Sequence, residues 1–475
     1  MTSIPTLSLT DNYVDSRGLV AREQTGSGAS LGKDANIAAK TVTAKLQRFD
    51  YLAYAQHLLI ENNVLNTRGG RHRTRMCHGA RAFNAETISL KLSQDAKKSS
   101  ATLAGVQTCG SVWSCPVCSQ RIAVSRAKEI EQALVWSRAN KFTPVMVTLT
   151  ASHKSWMPLV EFKTSFKAAF RHLQKNGSFQ RLKRGAGISR TIKSVEVTRG
   201  LNGWHYHYHI LLFVPNSAVM DDDRVRHWRD FNDKLSSMWI DALKSNGLHG
   251  GKPWACNTSY HGNVEEKYLS KLGFLDDDRT DARYELTSGK NKQSKGRNVW
   301  SLLRAARGGD SDAAAAYVEY VTAMQGDNWI TWSPKFKDEV GLSDVQDQAL
   351  ADDDNSDVFA DWMSITDEAF RPVRHFRAQG KLIAVAETTR SKVAVDKFLQ
   401  DLRFALDEEK RERSALEHLS RDELFTRYDM ALANLQIAKM AYRNHPSART
   451  ERELAICNTR YGDMAERWKN MITHS

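Results

Sequence analysis

Three histidines alternate with two tyrosines in Trp204-His-Tyr-His-Tyr-His209. In a strand, alternate side chains project to the same side, so His205, His207 and His209 would share one face. Aligned imidazoles make an edge suited to a divalent metal. A carboxylate is available close by. Glu196 stands between Val195 and Val197 in the β-branched run Thr191 to Thr198, and Arg199-Gly-Leu-Asn-Gly203 has the residues of a hairpin turn. Paired as a hairpin, the two runs would let Glu196 face the histidines. Two imidazoles and one carboxylate leave coordination positions open for water and substrate oxygens, as a catalytic divalent ion requires. The plainer reading is solvated histidines and a surface pair between Glu196 and Lys193.

Two further sets of residues could do chemistry. Cys77, Cys109, Cys115 and Cys118 fall in one short region that holds four of the six cysteines. In a cytosolic chain such clustering favours metal over disulfides. Cys115-Pro-Val-Cys118 with Cys109 gives three thiolates, and Cys77 or His78 could complete a tetrahedral zinc site. Buried thiols without metal are the alternative. In Val264-Glu-Glu-Lys-Tyr-Leu-Ser-Lys271 a helix would put Glu265 and Lys271 about one turn to either side of Tyr268. A phenol titrates near pH 10 in isolation (about 10), and a nearby ammonium such as Lys271 favours the phenolate. A single tyrosine on an amphipathic helix can equally be core packing.

The elements that must position these groups follow from pattern. Pro144 to Thr150 and His205 to Val214 read as strands, as does Thr191 to Thr198. Helices are expected over about 42–65, 120–136, 222–243, 265–272 and 313–324. Another follows Leu159, where Phe162, Phe166, Phe170 and Leu173 recur at helical spacing. The fold class expected is α+β, an antiparallel sheet flanked by helices. The 475 residues exceed one compact core. We divide them into an N-terminal segment (1–66), polar and expected to be disordered to about residue 40, and a Cys-rich module with its helix (67–138). A main α+β domain (139–343), an acidic linker (344–357) and a charged helical region (358–475) follow.

The formal net charge is +13, with the sequence pI near 9.3, which favours a polyanionic partner such as nucleic acid. Arg71, Arg73, Arg75, Lys183, Arg184, Lys292, Lys295 and Arg297 lie in the basic clusters and are the candidate DNA contacts. The N-terminus lacks a basic start followed by an apolar run, and no stretch of about 20 apolar residues could span a bilayer. A soluble, cytoplasmic protein without a membrane partner is expected.

Four segments occur in order: Thr108-Cys-Gly-Ser-Val-Trp-Ser-Cys-Pro-Val-Cys118, Val147-Thr-Leu-Thr150, Glu196-Val-Thr-Arg-Gly-Leu-Asn-Gly-Trp-His205 and Lys267-Tyr-Leu-Ser-Lys-Leu-Gly273. Together they resemble the plasmid rolling-circle replication initiators (Rep) of the HUH endonuclease superfamily, over about residues 75–340. The resemblance implies an HUH core with the histidine strand central and the tyrosine helix over its face. It implies a divalent ion (Mg²⁺ or Mn²⁺) on His207, His209 and Glu196, with His205 an extra that touches DNA or the ion. It makes Tyr268 the nicking residue, forming a 5′-phosphotyrosine link with origin DNA, both duplex and single-stranded. The host helicase and DNA polymerase are the implied partners, and the oligomeric state is left open. Many such initiators carry a glutamate four residues before the tyrosine. Val264 stands there, so Glu265 or Glu266 would activate water instead. Leu272 occupies the place of the second tyrosine of two-tyrosine enzymes. An HUH relaxase, a single-strand transposase and a non-catalytic zinc-containing DNA-binding protein are the rival readings.

Overall fold

The computed structural model describes residues 31–94, 100–218, 224–251, 254–259, 296–352, 359–417, 420–444 and 448–473. The chain divides into two compact units: Asn36–Trp362, and Met1–Ala35 together with Met363–Ser475.

In the larger unit, α1 (Leu31–Glu61) buries Leu52, Ala55 and Leu59 along one stripe. It begins earlier than its expected start near residue 42. The antiparallel pair β1 (Ile88–Ser93) and β2 (Ala101–Ala104) follows. α2 (Pro116–Ala139) starts where Cys115 caps its N-terminus and Pro116 opens the first turn, a position where the missing amide costs nothing. Its buried residues, Ile122, Arg126, Ile130, Ala133 and Leu134, recur at three- and four-residue spacing.

The main sheet contains β3 (Phe142–Leu149), β4 (Arg190–Gly200), β5 (Gly203–Pro215), β6 (Cys256–Ser259) and β7 (Ile330–Trp332). The strand order is β6-β3-β5-β4-β7 and every pairing is antiparallel. The histidine strand β5 is therefore central. Gly200 pairs with Gly203 across the two-residue turn Leu201-Asn202. Gly203 has φ +93, and a Cβ there would sit 2.8 Å from the Lys154 carbonyl oxygen, so both conformation and space demand glycine.

The two faces of this sheet are covered differently. On the tyrosine face lies α3 (Leu159–Lys175), with Phe166 ring-to-ring against Tyr206 at 5.2 Å and Tyr208 at 5.1 Å. Beside it is α5 (Arg224–Lys244), whose Trp239 meets Phe166 at 5.1 Å and donates its indole N–H to the Thr150 carbonyl at 2.8 Å. Between them runs α4 (Gly177–Gly185). On the opposite face, only the far half is apolar. There Ile192, Leu211, Phe213 and Met146 pack under Ile130, Ala133 and Leu134 of α2. Each such side chain contributes about 1.5–3 kcal/mol on full burial. The near half of that face carries Glu196, His205, His207 and His209.

The unit is completed by α6 (Val299–Arg307), α7 (Ser311–Met324), α8 (Phe336–Val340) and α9 (Asp347–Asp352). Strand β8 (Phe359–Ile365) adds to β1, giving the order β2-β1-β8. In the second unit come α10 (Asp367–His375), α11 (Gln379–Thr389), α12 (Lys392–Glu417), α13 (Arg421–Asn444) and α14 (Ala448–Thr473). Among the described residues, no helix is long and apolar enough to cross a membrane. The class is α+β with antiparallel sheets.

Candidate functional site

The hairpin pairs Glu196 directly with His207, and Ser194 with His209. Because opposed residues of an antiparallel pair share a face, Glu196 stands on the histidine side. Its Oε2 lies 2.6 Å from Nε2 of His209. Nδ1 of the same ring is 3.1 Å from the hydroxyl of Thr148, which sits opposite His209 on β3. Both nitrogens are thus committed. In the tautomer that satisfies both partners, Thr148 donates to Nδ1 and the Nε2–H donates to the carboxylate. Were a cation to stand in place of that proton, the ring would take the other tautomer, donating its Nδ1–H to the Thr148 hydroxyl and leaving the Nε2 lone pair for the ion. His209 is 2% exposed, whereas Glu196 is 29% exposed on its side chain. Lys193, weighed as the partner of Glu196, instead lies over the rings of Phe170 and Tyr208, at 5.3 and 4.3 Å, on the other face.

The three imidazoles form a parallel row. Ring centroids are 5.9 Å apart for His205 and His207 and 6.3 Å apart for His207 and His209, with interplanar angles of 8° and 12°. Strand geometry puts His205 about 13 Å from His209, at about 3.3 Å per residue. Two imidazoles on one ion each place a nitrogen about 2.1 Å from it, so His205 and His209 as they stand cannot share an ion. His205 instead packs on His153, centroid to centroid 3.7 Å. Burial pushes the His205 imidazole down to about 4, His153 pushes the same way, and Glu196 opposes them. His153 was missed in the sequence. Its signal was a histidine three residues after Val147-Thr-Leu-Thr150, in a segment that turns away after β3 and wraps the start of β5.

The cysteines converge more tightly. The Sγ of Cys77 lies 3.6 Å from that of Cys115 and 3.5 Å from that of Cys118, and Cys109 is 3.7 Å from Cys118. Four sulfurs around one zinc at about 2.3 Å stand about 3.8 Å apart at the corners of a tetrahedron, so the spacing fits a tetrathiolate centre. Among the described residues these are the only three or more His, Cys, Asp or Glu donors that all fall within 4.8 Å of one another. Each comes from a fixed piece of chain. Cys77 follows the 3₁₀ turn Arg73–Met76, Cys109 lies in the loop after β2, Cys115 caps α2 and Cys118 is in its first turn. The Cys118 amide donates to the Cys115 sulfur at 3.3 Å, and Thr74 donates to Cys109 at 3.4 Å. The surrounding thiols of Cys109, Cys115 and Cys77 hold Cys118 well below the usual thiol range. Cys77, not His78, completes the set. His78 is fully buried and stands edge-on to Phe49 at 5.2 Å.

Of the predicted DNA contacts, Arg71, Arg73 and Arg184 are exposed, and Arg75 and Lys183 are half-buried. Arg73 also donates to the Gln348 side chain. Arg297 is paired with Asp310 at 3.0 Å, while its backbone bridges Arg199 beside the hairpin. A cleft of about 940 Å³ passes Arg73, Trp113, Trp332 and Lys335 next to the cysteine loop, and none of the histidines of β5 lines it. Tyr268, Glu265, Glu266, Lys271, Lys292 and Lys295 lie outside the described residues, as does most of the acidic tract after Asp352.

The histidine hairpin, Thr148 and three of the four cysteines fall within residues 100–247, which match the sequence model of a family described as a replication protein. The chain is also similar to "Protein rep" of Streptomyces lividans, 25% identical over 343 residues that cover 57% of this chain and 73% of that protein. Both likenesses support a plasmid replication protein. A "Neomycin resistance protein" of Streptomyces cyanogenus is 28% identical over 171 residues, 30% of the present chain and 39% of that protein. No solved structure matches. The matched segment begins just before β2 and runs through α5, so it takes in the central strands of the sheet and the helices on both faces.

Proposed function

We propose that this protein starts rolling-circle replication of a plasmid by nicking one strand of its origin, through an HUH-type site. The observation that carries the reading is the pairing of Glu196 with His209 on a central hairpin, with Thr148 locking the imidazole. Glu196, His207 and His209 would hold Mg²⁺ or Mn²⁺. A divalent ion there supplies charge neutralisation at the scissile phosphate.

The remaining work falls to the chain itself. The hydroxyl of Tyr268 attacks phosphorus and its proton passes to water, the Lys271 ammonium favouring the phenolate, and Glu265 or Glu266 would activate the water that ends the round. The phosphorus–O3′ bond breaks, leaving a free 3′-hydroxyl for host polymerase and a 5′-phosphotyrosine on the protein. His205 and His153 line the approach to Glu196, and the exposed arginines Arg71, Arg73 and Arg184 bind phosphates, with Lys183, Arg75, Lys292, Lys295 and Arg297 adding positive charge. The four cysteines hold a structural zinc that braces the loop ahead of α2. A cytoplasmic location and recruitment of a host helicase complete the reading.

The test uses labelled single-stranded origin DNA and supercoiled plasmid with Mn²⁺. The native chain should relax the plasmid and form an adduct stable to denaturant. Tyr268→Phe should form none while retaining DNA binding. Adduct formation by Tyr268→Phe at the native rate would refute the assignment.

A further inference from the structure

Helix α13 carries a second apolar stripe that the described residues of its own unit leave uncovered. Its inner side packs on α14: Leu424, Leu435 and Ala438 are buried, the rings of Tyr428 and Tyr461 are 5.5 Å apart, and Phe425 meets Trp468 at 5.1 Å. On the opposite side Thr426, Met430, Ala433, Ile437 and Met440 follow one another at intervals of four, three, four and three residues. That 3.5-residue repeat keeps one stripe turned toward a coiled-coil partner along a whole helix. All five are exposed, with Met430 and Ile437 61% and Met440 58% accessible. Scattered exposed apolar residues are ordinary, but large ones held in a single heptad register are not.

The charges beside the stripe indicate the occupant. Asp422 and Arg443 both flank it at positions equivalent in the heptad, one at each end of the helix. In a two-fold pair of antiparallel helices, each meets the other on the opposite copy, so the seam is complementary to itself. We propose that this chain self-associates through α13, two copies pairing antiparallel so that their α13–α14 hairpins close a four-helix bundle. The proposal is independent of the nicking chemistry.

Sedimentation equilibrium on the full chain tests it. The native protein should show a mass approaching twice 53.6 kDa at tens of micromolar. Met430→Glu with Ile437→Glu should give the mass of one chain, with helix content by circular dichroism unchanged. Asp422→Arg should raise the concentration for half-association about tenfold, from two repelling pairs of up to about 1 kcal/mol each. Adding Arg443→Asp should restore it. One-chain mass at every concentration overturns the proposal, whether the stripe is bare or covered by another segment of the same chain. So does a dimer that survives the double glutamate variant, or a charge swap that fails to rescue.

Discussion

The cysteine cluster and the histidine edge lie in the same unit and hold their donor atoms in contrasting ways. The four sulfurs come from three separate pieces of chain, are each no more than 3% exposed, and leave no side open. The histidine donors come from a single hairpin, lie in a row along one strand, and keep Glu196 and His207 partly open to solvent. A closed tetrahedral set suits an ion that ties chain segments together; an open set suits one that must admit a substrate oxygen. The same contrast recurs along one face of the sheet. Its far half is sealed by α2 over Leu211 and Phe213, and its near half presents imidazoles.

The comparison can be broken at either end. Replacing Cys115 and Cys118 together by Ala should cost at least about 4 kcal/mol of stability, the range for losing a structural metal. Thermal unfolding and zinc content report it, and a stable double variant would remove the cluster's structural role. At the histidine edge, His209→Ala should cost about 1–3 kcal/mol of stability, since the ring is buried and bonded at both nitrogens, and should lower Mn²⁺-dependent nicking by the still-folded protein about 10³-fold, the scale on which a preorganised charge-stabilising group acts. A large stability loss without a specific nicking defect would make His209 a packing residue.

Much of this was legible beforehand. Val195-Glu-Val197 facing an alternating histidine run, across a turn bearing Gly203, fixes register, and a one-residue slip would have turned Glu196 to the tyrosine side. The Cys-Pro-Val-Cys spacing singled out Cys115 and Cys118 as a thiolate pair, but the helix expected from about Gln120 begins at Pro116, so that Cys115 caps it and Cys118 falls in its first turn. What escaped are the short edge strands β6 and β7 and the pair β1 and β2. Three or four residues such as Ile330–Trp332 carry too little alternation, and neighbouring strands recruit them by backbone pairing. Thr148 escaped as an imidazole anchor because its role depends on the β3–β5 register, which spans 61 residues of chain. Equally hidden was His153, whose contact with His205 is made by a loop outside any periodic element.

Two smaller effects sharpen the contrast within the sheet face. Leu211→Ala, in the half covered by α2, should destabilise the unit by about 2–5 kcal/mol in denaturant unfolding, with Mn²⁺ affinity of the surviving folded protein unaltered. Thr148→Val, in the open half, should cost less than about 1 kcal/mol of stability yet weaken Mn²⁺ binding by about 10- to 100-fold, as loss of a second-layer partner does. If the two substitutions gave interchangeable outcomes, the division of the face into packing and cation-binding halves would fail.

The most direct measurement is metal content against activity after brief chelation of the native full chain. Dialysis against EDTA should abolish nicking of supercoiled plasmid while zinc remains bound near one equivalent per chain, and Mn²⁺ alone should restore nicking without refolding. Nicking that persists in EDTA, or zinc that leaves together with the activity and is needed to restore it, would contradict the separation of a closed structural centre from an open catalytic one.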